Sequence, residues 1–149
     1  MVNLISLLMY RTPEIYMQTT IVETIKQDYQ NFPNEQTYSI YAEDVYFEDP
    51  LNKFQGVARY QKMIGFLGRF FQNIDLELHN INQEENIIKT EWTLEMTSPL
   101  PWKPRLVIPG WSELTINQDN LIIAHRDFWN IEPIKVLLQN FGMGNTNRT

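Results

Sequence analysis

The chain has 149 residues, of which 43% are apolar, 20% charged and 13% aromatic, with a net charge of −6 and no cysteine. That is enough chain for one domain that buries about two-thirds of its unfolded surface, and the lack of cysteine excludes disulfides, iron–sulfur clusters and thiolate zinc sites. Lysine and arginine are scattered singly without the basic stripe of a nucleic-acid binder, so no nucleic-acid partner is expected.

Residues 1–16 hold one apolar patch, Val2 to Tyr10, with no basic residue before it. The patch is shorter than the roughly 20 residues of a membrane span and lacks the charged start and cleavage site of a signal peptide. The expectation is an N-terminal extension over 1–16, one domain over 17–142 and a flexible tail over 143–149, in the cytoplasm and with no membrane span. Met17 offers an alternative start. Thr20-Ile-Val-Glu23 has capping-box spacing, so a first helix should begin at Thr20 and carry Ile21, Ile25, Tyr29 and Phe32 on one face until Pro33 stops it.

A second short helix fits Asn34 to Ala42. Val45, Tyr46 and Phe47 are strand formers, and Asp49-Pro50 ends that strand, because proline biases its predecessor away from the helical region. The clearest element comes next. Val57, Tyr60, Ile64, Leu67 and Phe71 recur at helical steps, and Met63, Phe66 and Phe70 widen the stripe. Gly65 and Gly68 within it suggest close approach of another backbone.

Strand periodicity takes over beyond this helix. Ile74, Leu76 and Leu78 alternate with Asp75, Glu77 and His79; Ile88, Thr90, Trp92, Leu94 and Met96 alternate with Lys89, Glu91, Thr93 and Glu95. Ser98 to Pro104 holds too many prolines for a ladder and reads as a stiff loop. Leu106 to Asn117 should be a strand bent at Pro109-Gly110, and Leu121 to Ile131 the last strand. Pro133 and Gly142 bracket a short closing helix. Helices followed by antiparallel strands make an α+β fold, with N-terminal helices packed on a curved antiparallel sheet around an apolar interior and a short C-terminal helix.

Tyr41-Ala-Glu-Asp44 followed by Glu48-Asp-Pro50 resembles the nuclear transport factor 2-like (SnoaL/ketosteroid isomerase-like) superfamily, whose isomerase branch carries a very similar stretch. Pro101-Trp-Lys-Pro104, Gly110-Trp-Ser-Glu-Leu114 and His125-Arg-Asp-Phe-Trp-Asn130 resemble a narrower domain family of unknown function in cyanobacteria and chloroplasts. The resemblance runs from about Met17 onward and implies a cone-shaped domain with a cavity.

At the position of Asp49 the isomerase branch has its general base, a carboxylate facing an apolar pocket where desolvation strengthens it. The plainer reading is that Asp49 caps its own turn. The isomerase also holds an enolate oxygen with a helix-1 tyrosine and a protonated aspartate. Tyr29 and Ser112 stand nearest those positions, so the chain lacks that donor pair, which argues against isomerase activity. The polyketide-cyclase branch ends its last strand in His-Trp-Asp, which places its acid/base aspartate at Asp127. His125, Asp127 and Trp129 share one strand face and Arg126 the other. The competing reading of Asp127 is a buried polar group satisfied by a structural partner.

The expected ligand-pocket residues are Tyr29, Tyr60, Ile64, Trp92, Met96, Ser112 and Trp129, with Asp49, Asp127 and His125 as candidate catalytic groups. Two histidines far apart make no metal site, and no metal or cofactor is expected; a heme would need His125 as the better of two axial candidates. Trp102 and Trp111 either line a ligand mouth or pack on the domain's own rim. The resulting expectation is a small apolar or amphipathic ligand held in the cone. Alternatives are an acid/base enzyme using Asp127 and Asp49, or an interaction module, with homodimerisation through the sheet expected in any case.

Overall fold

The structure is a computed structural model and describes residues 21–143. The extension over 1–16, the helix start at Thr20 and the tail beyond Met143 lie outside the described residues. Helix α1, described over 21–31, presents Ile21, Ile25 and Tyr29 to the interior and gives way before Pro33, as its sequence spacing requires. The chain then turns through 32–37. Thr37 is the anchor of that turn: its backbone N–H and hydroxyl donate to the two carboxylate oxygens of buried Asp28, at 3.0 and 2.7 Å.

The short helix expected over Asn34 to Ala42 is confined to one 3-10 turn, Tyr38–Ile40. Strand β1 (Tyr41–Glu48) begins four residues earlier than Val45, so the Tyr41-Ala-Glu-Asp stretch is strand and not a helix end. Alanine and acidic residues favour helix locally, but Ala42, Val45 and Phe47 are buried against the sheet's neighbours and tertiary packing decides. A short strand β2 (Lys53–Gln55) folds back on β1. Helix α2 (Val57–Phe70) follows, with Gly56 at its N-cap in a positive-φ conformation (φ +110°).

Four long strands complete the sheet: β3 (Gln72–Glu84), β4 (Ile87–Thr97), β5 (Arg105–Ile116) and β6 (Ile122–Trp129). Helix α3 (Pro133–Gln139), with proline in its first turn, closes the domain, and Gly142 follows at φ +72°. The strand order is β2-β1-β6-β5-β4-β3. Neighbours are antiparallel except β1 and β6, which run parallel, so the sheet is mixed where a purely antiparallel one was expected. Helices α1, α2 and α3 cover the concave face of this curved sheet, giving the α+β cone.

On α2 the stripe is narrower than its sequence. Tyr60 and Ile64 are buried, but Phe66 is 58% and Phe70 44% exposed, and the two rings pack on each other with centroids 4.5 Å apart. A Cβ at Gly68 would lie 3.2 Å from the Pro33 ring, so that glycine does admit a close neighbour. Gly65 has open space beside it and no such role.

The strand pairings shift register at four points, and two of these decide which face a residue takes. β3 shifts register between Leu78 and Asn80, so that Ile81 pairs with Thr90 on the inner face after His79 has dropped out of step. β6 shifts between its pairs Ala124–Thr115 and Ile122–Ile116. Each is a bulge, one extra residue on one strand. The second places fully buried Ile122 in the core on the same side as His125, and leaves Phe128 outside. The alternation-based grouping of Ile122, Ala124 and Phe128 on one face therefore fails. β5 runs through Pro109-Gly110 without losing register.

Candidate ligand cavity and its polar cluster

Between the helices and the concave face lies a cavity of about 420 Å³. Ile64 and Leu67 of α2, Phe71 just after it, Leu76 of β3, Leu94 and Met96 of β4, and Leu106 and Ile108 of β5 supply much of its apolar wall. This is the consequence of curvature and periodicity together. Residues of one parity on each strand point into the concave side, and the α2 stripe faces them across it. Tyr29, Tyr60, Ile64, Trp92, Met96, Ser112 and Trp129 all stand in this wall, as do Asp49, His125 and Asp127.

Four of those residues share a chain of hydrogen bonds. Trp92 Nε1 donates to Ser112 Oγ at 2.8 Å, and Ser112 Oγ donates to Asp127 Oδ1 at 2.6 Å. His125 Nε2 lies 2.8 Å from the same Oδ1. Pairing accounts for the convergence, because Ser112 sits opposite Asp127 and Leu114 opposite His125 on β5 and β6, while Trp92 lies two residues along β4 from Thr90, the partner of Ser112. An ionised carboxylate only accepts, so Nε2 carries a proton toward Oδ1; on a neutral imidazole Nδ1 then accepts from the Tyr41 hydroxyl, 3.3 Å away. Tyr41, Tyr60 and Phe47 box the imidazole: Tyr41 stacks on it at 6.0 Å, Tyr60 lies tilted at 5.4 Å and Phe47 meets it edge-on at 5.1 Å.

The side chain of Asp127 is 21% exposed. Its Oδ1 takes both donors, and among the described residues no hydrogen bond reaches Oδ2. Among the described residues, one carboxylate oxygen is thus fixed while the other is unengaged.

Burial and this carboxylate act together on the tyrosines. Burial, followed by the negative charge of Asp127, pushes Tyr29 up to about 12. Tyr41 is raised further, by burial first and with smaller contributions from neighbouring charges including Asp127. Tyr60 is raised well above its ordinary value by burial first, then by Tyr41 and Asp127. All three are neutral hydroxyls at physiological pH, able to donate. Tyr29 already shares a 2.9 Å bond with Thr90 Oγ1.

Asp49 occupies a different setting. Its Oδ1 accepts the backbone N–H groups of Leu51 and Asn52 at 2.7 and 2.6 Å, and the Asn52 amide donates to both its oxygens at 3.2 and 3.1 Å. The carboxylate stands on the cavity wall beside Leu51 and Asn52, but as the cap of its own turn, with no hydrogen bond to the cluster around Asp127. Arg126 points to the opposite side of β6, where it lies over the Tyr46 ring at 5.1 Å and 3.9 Å from Glu48. His79 is tied to Thr93 on the outer side, at 2.7 Å. Trp102 packs on Phe141 and donates to the Asn140 carbonyl; Trp111 stacks on Phe128 at 4.1 Å on the convex face. Neither tryptophan lines the cavity.

Sequence reasoning missed Tyr41, Thr90 and Asp28. Thr90 carried a signal, a small polar residue fully buried within the apolar parity of β4. Tyr41 carried none, since its partner His125 lies 84 positions away. No group of three or more histidine, cysteine or acidic side chains placed to hold a metal exists among the described residues. Nor is any described helix long and apolar enough to cross a membrane.

The model of the family described as "Uncharacterized conserved protein (DUF2358)" matches residues 19–125. The chain belongs to the DUF2358 family. The matched segment of this DUF2358 domain holds Tyr29, Tyr41, Tyr60, Ser112 and His125, with Asp127 two residues beyond its end. No curated protein is significantly similar in sequence. Solved structures are similar in fold. A putative SnoaL-like polyketide cyclase from Jannaschia sp. CCS1 aligns with a TM-score of 0.67 at 14% identity, covering 87% of this chain and 94% of that one. An epoxide hydrolase of the LEH-like type from M. tuberculosis gives 0.63 at 15% identity, covering 82% and 87%. An NTF2-like protein from Anabaena variabilis ATCC 29413 gives 0.61 at 14% identity, covering 79% and 90%. At these identities the likeness is one of fold, and the DUF2358 domain has the nuclear transport factor 2-like fold.

Proposed function

We propose that this DUF2358 domain binds a small apolar or amphipathic molecule in its cone. The observation that carries the reading is the cavity of about 420 Å³, apolar over most of its wall, with its unengaged polar capacity at Asp127. Concave apolar pockets of roughly 300–1,000 Å³ with a few converging polar groups are the usual form of a small-molecule site. A neutral fluorophore, 1-aminoanthracene, should bind with stoichiometric enhancement of its emission. Leu67→Trp, which fills the wall from α2, should weaken that binding at least tenfold while the variant still melts cooperatively. Unchanged binding in Leu67→Trp, or no enhancement with the wild type, would overturn the reading. A cytoplasmic location belongs to the same reading, since a chain without cysteine suits a reducing compartment.

A second reading, acid/base chemistry, is favoured by the run Tyr41–His125–Asp127. A carboxylate fixed at one oxygen and open at the other has the geometry of a general base, and His125 links it to a neutral tyrosine donor. In this reading Asp127 and His125 act, and Asp49 keeps the rim loop in shape.

Homodimerisation through the sheet has its own support on the convex face. Trp111 and Phe128 stack there, with Ile123 exposed along the same sheet and Lys89 5.9 Å from the Trp111 ring. An aromatic pair in the middle of an open sheet face is what a second copy would cover. Sedimentation should show a dimer at micromolar concentration, and the double change Trp111→Glu with Phe128→Glu should return it to monomer. A wild-type protein that sediments only as monomer would refute the dimer and leave the cavity untouched.

A further inference from the structure

We infer that the ligand is an apolar molecule with a protonated primary or secondary amine, whose ammonium group meets Asp127 Oδ2. The inference rests on the ligand-binding reading and adds the chemistry of the head group. The cavity wall contains three carboxylates and, among the described residues, no lysine or arginine. Two of the carboxylates are spent on structure: Asp28 on the Thr37 N–H and hydroxyl, Asp49 on its turn. Asp127 alone keeps an oxygen with no hydrogen bond from the described residues.

A ligand carboxylate or phosphate entering this space would find no lysine or arginine to pair with and would lie against the Asp127 charge, the costly form of burial. An alcohol could donate one hydrogen bond to Oδ2 but would leave the charge unbalanced. An ammonium donates and balances the charge together, and charge-assisted bonds are roughly twice as strong as neutral ones. The surroundings agree. Tyr29, Tyr60, Trp92 and Trp129 bring aromatic rings to the same wall, and ring faces attract cations. The field inside the cavity has the sign this ligand needs, since the charge on Asp127 disfavours a second anion at Tyr29, Tyr41 and Tyr60.

One apolar body with three head groups tests the claim: 4-phenylbutylamine, 4-phenylbutanol and 4-phenylbutyrate, each competed against bound 1-aminoanthracene. The amine should bind at least tenfold tighter than the alcohol, and the butyrate should fail to compete. In Asp127→Asn the advantage of the amine over the alcohol should shrink to less than threefold. The preference should survive 0.5 M NaCl, where exposed charges are screened within a few ångströms. Equal binding of amine and alcohol, or tighter binding of butyrate, would overturn the cationic ligand while leaving the cavity as a binding site. A preference that vanishes in salt would place the amine on the acidic surface and also overturn it. Failure of all three molecules and of the fluorophore would sink both readings. The wild-type comparison decides the matter even if Asp127→Asn does not fold.

Discussion

Gly110→Ala should destabilise the domain by about 3 kcal/mol, at the upper end of overpacking costs, and lower its melting temperature by roughly 10 °C. The reason is the crowding of β5 between its neighbours. A Cβ on Gly110 would lie 2.5 Å from the Phe128 carbonyl oxygen and 2.6 and 2.9 Å from two carbons of the Trp92 ring. The carbonyl belongs to the paired backbone of β6 and cannot retreat without breaking the ladder. The indole cannot swing aside freely either, because its Nε1 is held by Ser112. Relief at the ring would break that bond and leave Ser112 with Asp127 alone. Differential scanning calorimetry and the tryptophan emission spectrum would read the two effects, and a shift below 2 °C would show that the strands are more yielding than their register implies.

The second large effect should appear in alkali. Tyr29 is raised to about 12 from 10 by burial and then by Asp127, and Tyr41 and Tyr60 are raised with it. A phenol with a raised folded-state pKa binds its proton more tightly in the folded protein. Its contribution to stability is therefore complete below pH 10 and is lost as the pH rises toward 12. For Tyr29 alone the two units amount to roughly 2–3 kcal/mol, at about 1.4 kcal/mol each, and the other two act in the same direction. Urea denaturation should show stability falling steeply over pH 10–12. Tyrosinate absorbance should show Tyr29, Tyr41 and Tyr60 silent until the protein unfolds. Tyr29→Phe should flatten part of that fall. Reversible ionisation of every tyrosine near pH 10, without loss of structure, would contradict the burial of this cluster.

How much of this was visible in the residues depends on the range of the interactions concerned. Helix α2 and the inner parity of β4 are written in periodicity, since each depends on spacing within one element. Phe66 and Phe70 mislead because hydrophobicity does not report whether anything lies opposite, and among the described residues nothing buries them. Ile122 misleads because a bulge shifts parity by one residue and leaves no mark in an alternating pattern. The strand at Tyr41–Asp44 was hidden by residues with helical preference, overridden by a partner strand at the far end of the chain. In the site, Asp127, His125 and Ser112 could be singled out because their types and neighbours resemble a known pattern. Tyr41 could not, because only the parallel pairing of β1 with β6 brings it to His125.

That parallel pairing also sets an order of events during synthesis. β6 lies between β1 and β5, so the earliest strand made and one of the later ones both wait for the last. Until residues 122–129 leave the ribosome, β1 has only the three-residue β2 to pair with, and two unpaired edges face the same gap. Such edges recruit whatever strand is nearby. A nascent chain paused before β6 is therefore most exposed to pairing with another copy, whose own β6 fits the vacancy equally well, the route to a swapped assembly. Contacts so distant in sequence also slow folding. The imidazole and carboxylate of the cavity arrive on that final strand, so no incomplete chain carries the assembled polar cluster, and its formation coincides with closure of the sheet.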